Sequence, residues 1–382
     1  MPPQLYWRLS AFYFFYFAFI GAIAPYWGLY LKSLGFAAVQ IGVLMSLLQV
    51  MRMFAPNVWG HLADRSGRRA PIVRAATLAC LIAYLGVFVD QSFWWLFAVM
   101  SAISFFWSAP LPLVEATTLT HLGAQADRYG RIRLWGSIGF ILVVIGLGAA
   151  LDHHPAGIIP WVVLALLVGI WLTSRWLPEA TTEHDLPGHD SLARLLRKPQ
   201  VWALLAAAIL MTAAHGPYYT FFTIHLVEAG YSKALAGWMW ALGVICEIGV
   251  FLLMPRLLQR MRVETVLLAT LLAAALRFTL IAWWVDSLPL LLFAQVLHAL
   301  TFGAYHACAL ALVHRHFRGR VQARGQALYN SLAYGVGGTA GSLYAGAAWD
   351  ALGAAWTFSL AAALACAAAL VFAWRGGSGA VG

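Results

Sequence analysis

Long apolar runs, separated by short polar punctuation, make up most of the chain. A helix needs about 20 apolar residues to cross the roughly 30 Å hydrocarbon core of a bilayer. Twelve stretches answer to that length: residues 9–31, 38–61, 72–89, 93–119, 132–151, 157–177, 200–226, 234–255, 264–285, 288–313, 323–349 and 352–374. Strands are excluded, because the runs are too long and lack alternation. The pattern predicts an all-α membrane protein with twelve transmembrane helices. Only Arg8 precedes the first run as a positive charge, and the run outlasts a signal-peptide core of roughly 7–15 residues. It is expected to be a retained span.

The longest polar insert, 178–199, holds Glu179, Glu183, Asp185, Pro187, Gly188 and Asp190. It divides the pattern into a six-span half at 1–177, a central loop at 178–199 and a second six-span half at 200–382. A repeat in the loops makes the halves pseudo-symmetric. After span two, Gly60 to Arg69 reads GHLADRSGRR; after span eight, Pro255 to Glu264 reads PRLLQRMRVE. Arg65 aligns with Arg260, while Gln259 stands opposite Asp64. Two six-helix halves with a repeated basic loop fit a 6+6 transporter.

Composition narrows the class. Of 382 residues, 62% are hydrophobic and 10% charged, against about 25% charged in soluble domains. That excludes a soluble enzyme, a disordered chain and a nucleic-acid module, and makes the lipid bilayer the expected partner. The net charge of +10 is not one patch. Of the 24 Lys and Arg, 20 fall in alternate loops and at the termini. Lys32 and Lys233 lie in the opposite loops, beside Asp90, Asp152, Glu228, Asp286 and Asp350. The bias of positive charge toward the cytoplasm then puts both termini inside. Cys80, Cys246, Cys308 and Cys366 sit in apolar stretches without ligand spacing and read as inert buried thiols. No phosphate-binding loop, zinc motif or nucleophile–base set occurs. The expectation is no enzyme, no metal, no cofactor and no obligate protein partner.

Charges inside spans are costly, about 2.5–3.5 kcal/mol at mid-span on insertion scales, and are functional candidates. Arg52, Glu247 and Arg277 stand out. Arg52 and Glu247 each lie eight residues before their loop anchors, Gly60 and Pro255, so they are equivalent positions carrying opposite charge. Glu115, late in span four, and Arg133, early in span five, are brought to a common depth by a short turn. In span seven, His215, Tyr218, Tyr219 and Phe222 share a helical face, an aromatic wall for a ring-bearing solute. Span eleven carries Gln326 and Asn330 one turn apart, as hydrogen-bonding candidates. Tyr26, Trp27, Tyr30, Trp94 and Trp95 read as lipid-facing interface aromatics, and His306 as a packing histidine.

GHLADRSGRR after span two resembles the signature loop of the major facilitator superfamily. That resemblance implies a gating role for Gly60, Asp64, Arg65, Gly67, Arg68 and Arg69. The run Tyr129–Ser137, with Pro112-Leu113-Val114-Glu115 before it, resembles the lactose permease branch. There the glutamate and the second arginine form a substrate-binding ion pair, which implies that role for Glu115 and Arg133. Phe140 stands where that branch stacks its sugar on a tryptophan. Glu247, Arg277 and His298 follow the order of that branch's proton-handling residues, but Thr301 replaces the carboxylate expected one turn after the histidine. Across nearly the whole chain the resemblance is to the 3-phenylpropionate permease group. It implies a bacterial-type inner membrane and proton-coupled uptake of a small organic solute such as an aromatic carboxylate. The proton is the only coupling agent required. The alternatives are a sugar or nucleoside symporter, or an efflux antiporter on the same fold.

Overall fold

The computed structural model describes residues 2–179, 195–318 and 321–376. Residues 180–194 of the expected central loop lie outside them. Most of the described residues are helical, and none is in a strand. Among the described residues, eleven helical segments are long and apolar enough to span a membrane. They are α1 Pro3–Ser33, α2 Ala38–Ser66, α3 Ala70–Phe88, α4 Phe93–Leu122, α5 Tyr129–His153, α6 Ala156–Ser174, α7 Pro199–Glu228, α8 Lys233–Arg260, α9 Val263–Trp283, α10 Leu288–His316 and α11 Arg324–Trp374.

The count differs from the twelve predicted only in α11, where the expected spans 323–349 and 352–374 run together. A straight helix of its 51 residues would be about 75 Å long at 1.5 Å per residue, far more than one crossing needs. Gly353 interrupts it, with φ 80° and ψ 176°, a conformation that only glycine adopts cheaply. The interruption falls at the second residue of the predicted span 352–374, just past the predicted boundary.

Several segments are broken in mid-course, and the sequence explains where. Proline supplies no N–H and clashes with the carbonyl four residues back. Pro56 lies four residues after Arg52, and α2 breaks over Arg52–Phe54. Pro110 and Pro112 follow the break in α4 at Ser108–Ala109. Gly216-Pro217 follows the break in α7 at His215. Two further irregularities are π-helical: Ala299–Ala304 in α10 and Ser331–Gly337 in α11.

The chain forms two compact units, Met1–Asp185 with Tyr231–Trp238, and Leu186–Gly230 with Met239–Gly382. In the first, α1 packs along α5 and α6, and α3 along α4 and α6. Phe12, Tyr13, Trp27 and Tyr84 are fully buried there. The first turn of α8 belongs to this unit. The Asp152 carboxylate, at the end of α5, accepts hydrogen bonds from the backbone N–H groups of Lys233 and Ala234 at 2.8 and 3.1 Å. In the second unit, α11 packs along α7 and α9, around Phe221, Phe222, Phe278 and Tyr329.

Two expectations about apolar positions are corrected. Tyr26, Trp27 and Tyr30 do not face lipid; they are almost wholly buried. The Tyr26 hydroxyl donates to the Val144 carbonyl at 2.6 Å, and the Trp27 indole to the Met100 sulfur at 3.3 Å. Polar tips of buried aromatics need such partners, so these rings staple α1 to its neighbours. Trp94 and Trp95 are exposed. The four thiols are free but not all buried as expected: Cys80 and Cys308 are buried, Cys246 is partly so, and Cys366 is exposed.

Candidate functional site

In the N-terminal unit, chemistry-bearing side chains gather beside the helix breaks. Trp107 ends the first part of α4. Its ring stacks on Tyr16 of α1, with centroids 4.0 Å apart and planes 10° from parallel, and lies 4.0 Å from Phe19. In the second part of α4, Glu115 is half-buried, and its Oε1 accepts a hydrogen bond from the Tyr129 hydroxyl at 3.0 Å. The Arg133 guanidinium lies over the Phe17 ring, 3.5 Å from its centroid, a cation–π contact. Glu115 and Arg133 are neighbours but form no ion pair among the described residues. A phenol holds the acid and an aromatic face holds the base. Phe140 is buried, and its backbone packs against Gly21 of α1; its ring joins no aromatic stack among the described residues. Arg52 ends the first part of α2 and is exposed.

The C-terminal unit buries a cation. Arg277 of α9 is 0% exposed. Its Nε donates to the Ala294 carbonyl at 3.1 Å and its Nη1 to the Thr301 hydroxyl at 3.3 Å. The guanidinium carbon sits 4.1 Å from the centre of the Tyr218 ring. The Tyr218 hydroxyl donates to Gln295 Oε1 at 3.0 Å, and His298 stacks on the same ring at 5.5 Å. Trp240 closes the group, 4.5 Å from Tyr218 and 6.0 Å from Tyr219. Tyr218 is buried, whereas Tyr219 is partly exposed. Glu247 of α8 is half-buried, and its stem passes over Gly303 in the π-helical turn of α10. Asn330 is exposed; Gln326 Oε1 accepts a hydrogen bond from His314 Nε2 at 3.1 Å. The His306 ring bonds the Tyr334 hydroxyl at 3.0 Å.

The loop after α2 turns at Gly67, whose φ of 64° is the left-handed cap of that helix. Gly60 stands in open surroundings, and Asp64 and Arg65 are exposed. Asp64 makes no hydrogen bond or ion pair among the described residues. The acid that engages the arginines is Glu179. Its carboxylate accepts from the N–H groups of Arg69 and Ala70 at 2.8 and 3.3 Å and lies 3.7 Å from the Arg68 guanidinium. It therefore caps the N-terminus of α3, where the helix dipole favours an anion. The Arg69 guanidinium donates to Thr120 at 3.1 Å. At the end of the repeat-related loop, Glu264 opens α9 and pairs with Arg315 at 2.5 Å and Arg262 at 3.8 Å. Outside these loops, Asp90 accepts from the Ser92 hydroxyl and N–H, which holds its carboxyl below the usual range.

Sequence reasoning missed Trp107, Gln295 and Glu179. Trp107 precedes a proline-directed break, which is a readable signal. Gln295 is polar within an apolar run, one turn before His298. Glu179 meets its partners from 110 residues away, a pairing that no local pattern reveals.

A helical membrane protein whose two units carry polar and charged groups at broken helices has the architecture of a secondary transporter. The comparisons make the family definite. The chain belongs to the MFS_1 like family, which matches residues 6–360, within the major facilitator superfamily. It is 28% identical over 351 residues to an Escherichia coli K12 protein named a probable 3-phenylpropionic acid transporter, covering 89% of this chain and 90% of that one. It is 29% identical over 337 residues to a maltose permease of Geobacillus stearothermophilus, covering 85% and 83% respectively. The crystal structure of a mutant of the nucleoside transporter NupG shares the fold, with TM-score 0.87 at 18% identity over 97% of this chain and 99% of that one. This protein is a multi-pass membrane transporter of that superfamily, not an enzyme.

Proposed function

We propose that the protein is a proton-coupled symporter of a bacterial-type inner membrane, with both termini cytoplasmic, that takes up a small aromatic carboxylate such as 3-phenylpropionate. The carrying observation is the pairing of flat aromatic faces with membrane-embedded charge: Tyr16 on Trp107 near Arg133 and Glu115, and Tyr218 beneath Arg277. Aromatic faces hold a ring by stacking. The likeness to the E. coli protein supports the substrate class. The proton resides on Glu247 or His298 during the cycle, since Thr301 offers no carboxyl. Phe140, Tyr219, Asn330 and Arg52 complete the solute's path as the two halves alternate, and the Gly60–Arg69 loop governs the rate of that alternation. No cofactor is required.

The test is 3-phenylpropionate added to proteoliposomes containing a pH dye. The expected result is solute-dependent proton movement with labelled uptake, and its loss in Glu247→Gln while solute exchange persists. Labelled uptake without proton movement overturns symport in favour of facilitated diffusion. Proton movement with maltose or nucleosides but not with the acid overturns the substrate class. Solute extrusion under an imposed proton gradient overturns uptake.

A further inference from the structure

The C-terminal unit holds more hydrogen-bond donors than acceptors at one buried point. Arg277 spends Nε and Nη1 on Ala294 and Thr301, and its Nη2 has no partner. Gln295 is 0% exposed. Its Oε1 accepts from Tyr218, which leaves both protons of Nε2 unpartnered. His298 Nδ1 is likewise buried without a partner. These groups surround one ring, since Tyr218 touches the guanidinium, Gln295 and His298 alike. Among the described residues no carboxylate pairs with Arg277. A guanidinium out of water needs an anion or it is strongly disfavoured.

We propose that Arg277, Gln295 and His298 form a carboxylate subsite, and that the anion completing it is the carboxylate of the transported solute itself. The inference rests on the aromatic-carboxylate reading above and assigns the groups that recognise the acid. Arg277 Nη2 and Gln295 Nε2 each donate to the carboxylate, and the guanidinium supplies its counter-charge. Thr301 gives the arrangement its logic. It stands at hydrogen-bond distance from Arg277 with a neutral hydroxyl, so no carboxyl at that position competes for the guanidinium. The Tyr218 and Trp240 rings beside it suit an aromatic group joined to that carboxylate.

The experiment measures binding of 3-phenylpropionate and of its neutral amide, 3-phenylpropionamide, by calorimetry on the purified full-length protein. The wild type is expected to favour the acid about 30-fold or more, the scale of a desolvated charge pair. Arg277→Gln should reduce that preference to within about 3-fold. If that variant does not fold, Thr301→Glu supplies the anion internally. It should remove acid binding and spare amide binding, while Thr301→Gln keeps the wild-type preference. A wild type that does not distinguish acid from amide overturns the aromatic-carboxylate reading. A wild type that prefers the acid, with the preference retained in both Arg277→Gln and Thr301→Glu, overturns this assignment alone.

Discussion

In the N-terminal half, Gly139 of α5 lies so close to the Phe14 carbonyl of α1 that a Cβ would collide with it. In the C-terminal half, Gly337 and Gly341 of α11 press in the same way on the carbonyls of Ile209 and Ala213 in α7. First and fifth helices of each half thus meet through glycine, as close-packed membrane helices do. What the halves bury around that shared scaffold differs. Of the eleven buried side-chain N and O atoms without a hydrogen-bond partner among the described residues, only Ser10 Oγ and Gln49 Oε1 belong to the first half. The other nine, with Arg277, Gln295 and His298 among them, belong to the second. The duplicated part is the packing, which depends on size. The chemistry depends on single residues and is not duplicated. The first half leaves two such atoms unpartnered and the second nine.

The comparison breaks most readily at the glycines. Gly139→Leu and Gly341→Leu should each cost about 3 kcal/mol or more of stability, because backbone must move to admit the side chain. Fluorescence-detected size exclusion after a heat step would read the loss, with Gly249→Ala, in open surroundings, as the neutral control. If only one of the pair is damaging, the two scaffolds are not equivalent. A smaller effect separates the buried networks. Tyr129→Phe removes a hydrogen bond to a carboxyl, with an expected cost of about 1.5–3 kcal/mol, and Tyr218→Phe removes one to a neutral amide, at about 1 kcal/mol. Thermal unfolding in detergent would rank them; equal costs would deny the contrast between a charged and a neutral acceptor. Smaller again are the loop acids. Glu179→Gln and Glu264→Gln should each lower stability by about 0.5–1 kcal/mol, less at high salt. Asp64→Ala should change stability by under about 0.5 kcal/mol. It should slow turnover in proteoliposomes with solute affinity unchanged; unchanged turnover would remove the loop from the cycle.

The spans were legible because an apolar run of crossing length is a strong signal. The seam in α11 was legible to within a few residues, since the predicted boundary at 350–351 lies just before Gly353. Burial inside a bundle was not. Tyr26, Trp27 and Tyr30 have the composition of interface aromatics, and only tertiary contacts to Val144 and Met100 turn them inward. Arg277, Glu115 and Arg133 were found because charge in an apolar run is conspicuous. Their partners were not: Tyr129 instead of Arg133 for Glu115, and the ring of Phe17 for Arg133, are matters of side-chain direction. Glu179 as the helix cap of α3 required knowing which helices are neighbours.

The π-helical turn at Ala299–Ala304 bears on how this transporter tolerates change in chain length. A π turn holds more residues than an α turn, so it stores the equivalent of an inserted residue inside α10. Deleting one residue there lets the helix close as a regular α-helix with its two parts still facing the same way, whereas the same deletion in a regular α-helix would rotate everything beyond it by about 100°. Leu312 and Val313, buried beyond the turn, would stay on their packing face, and His298 would keep its place against Tyr218. Indels in the membrane usually wreck a span; here a single-codon deletion would be absorbed with both parts of the helix in register.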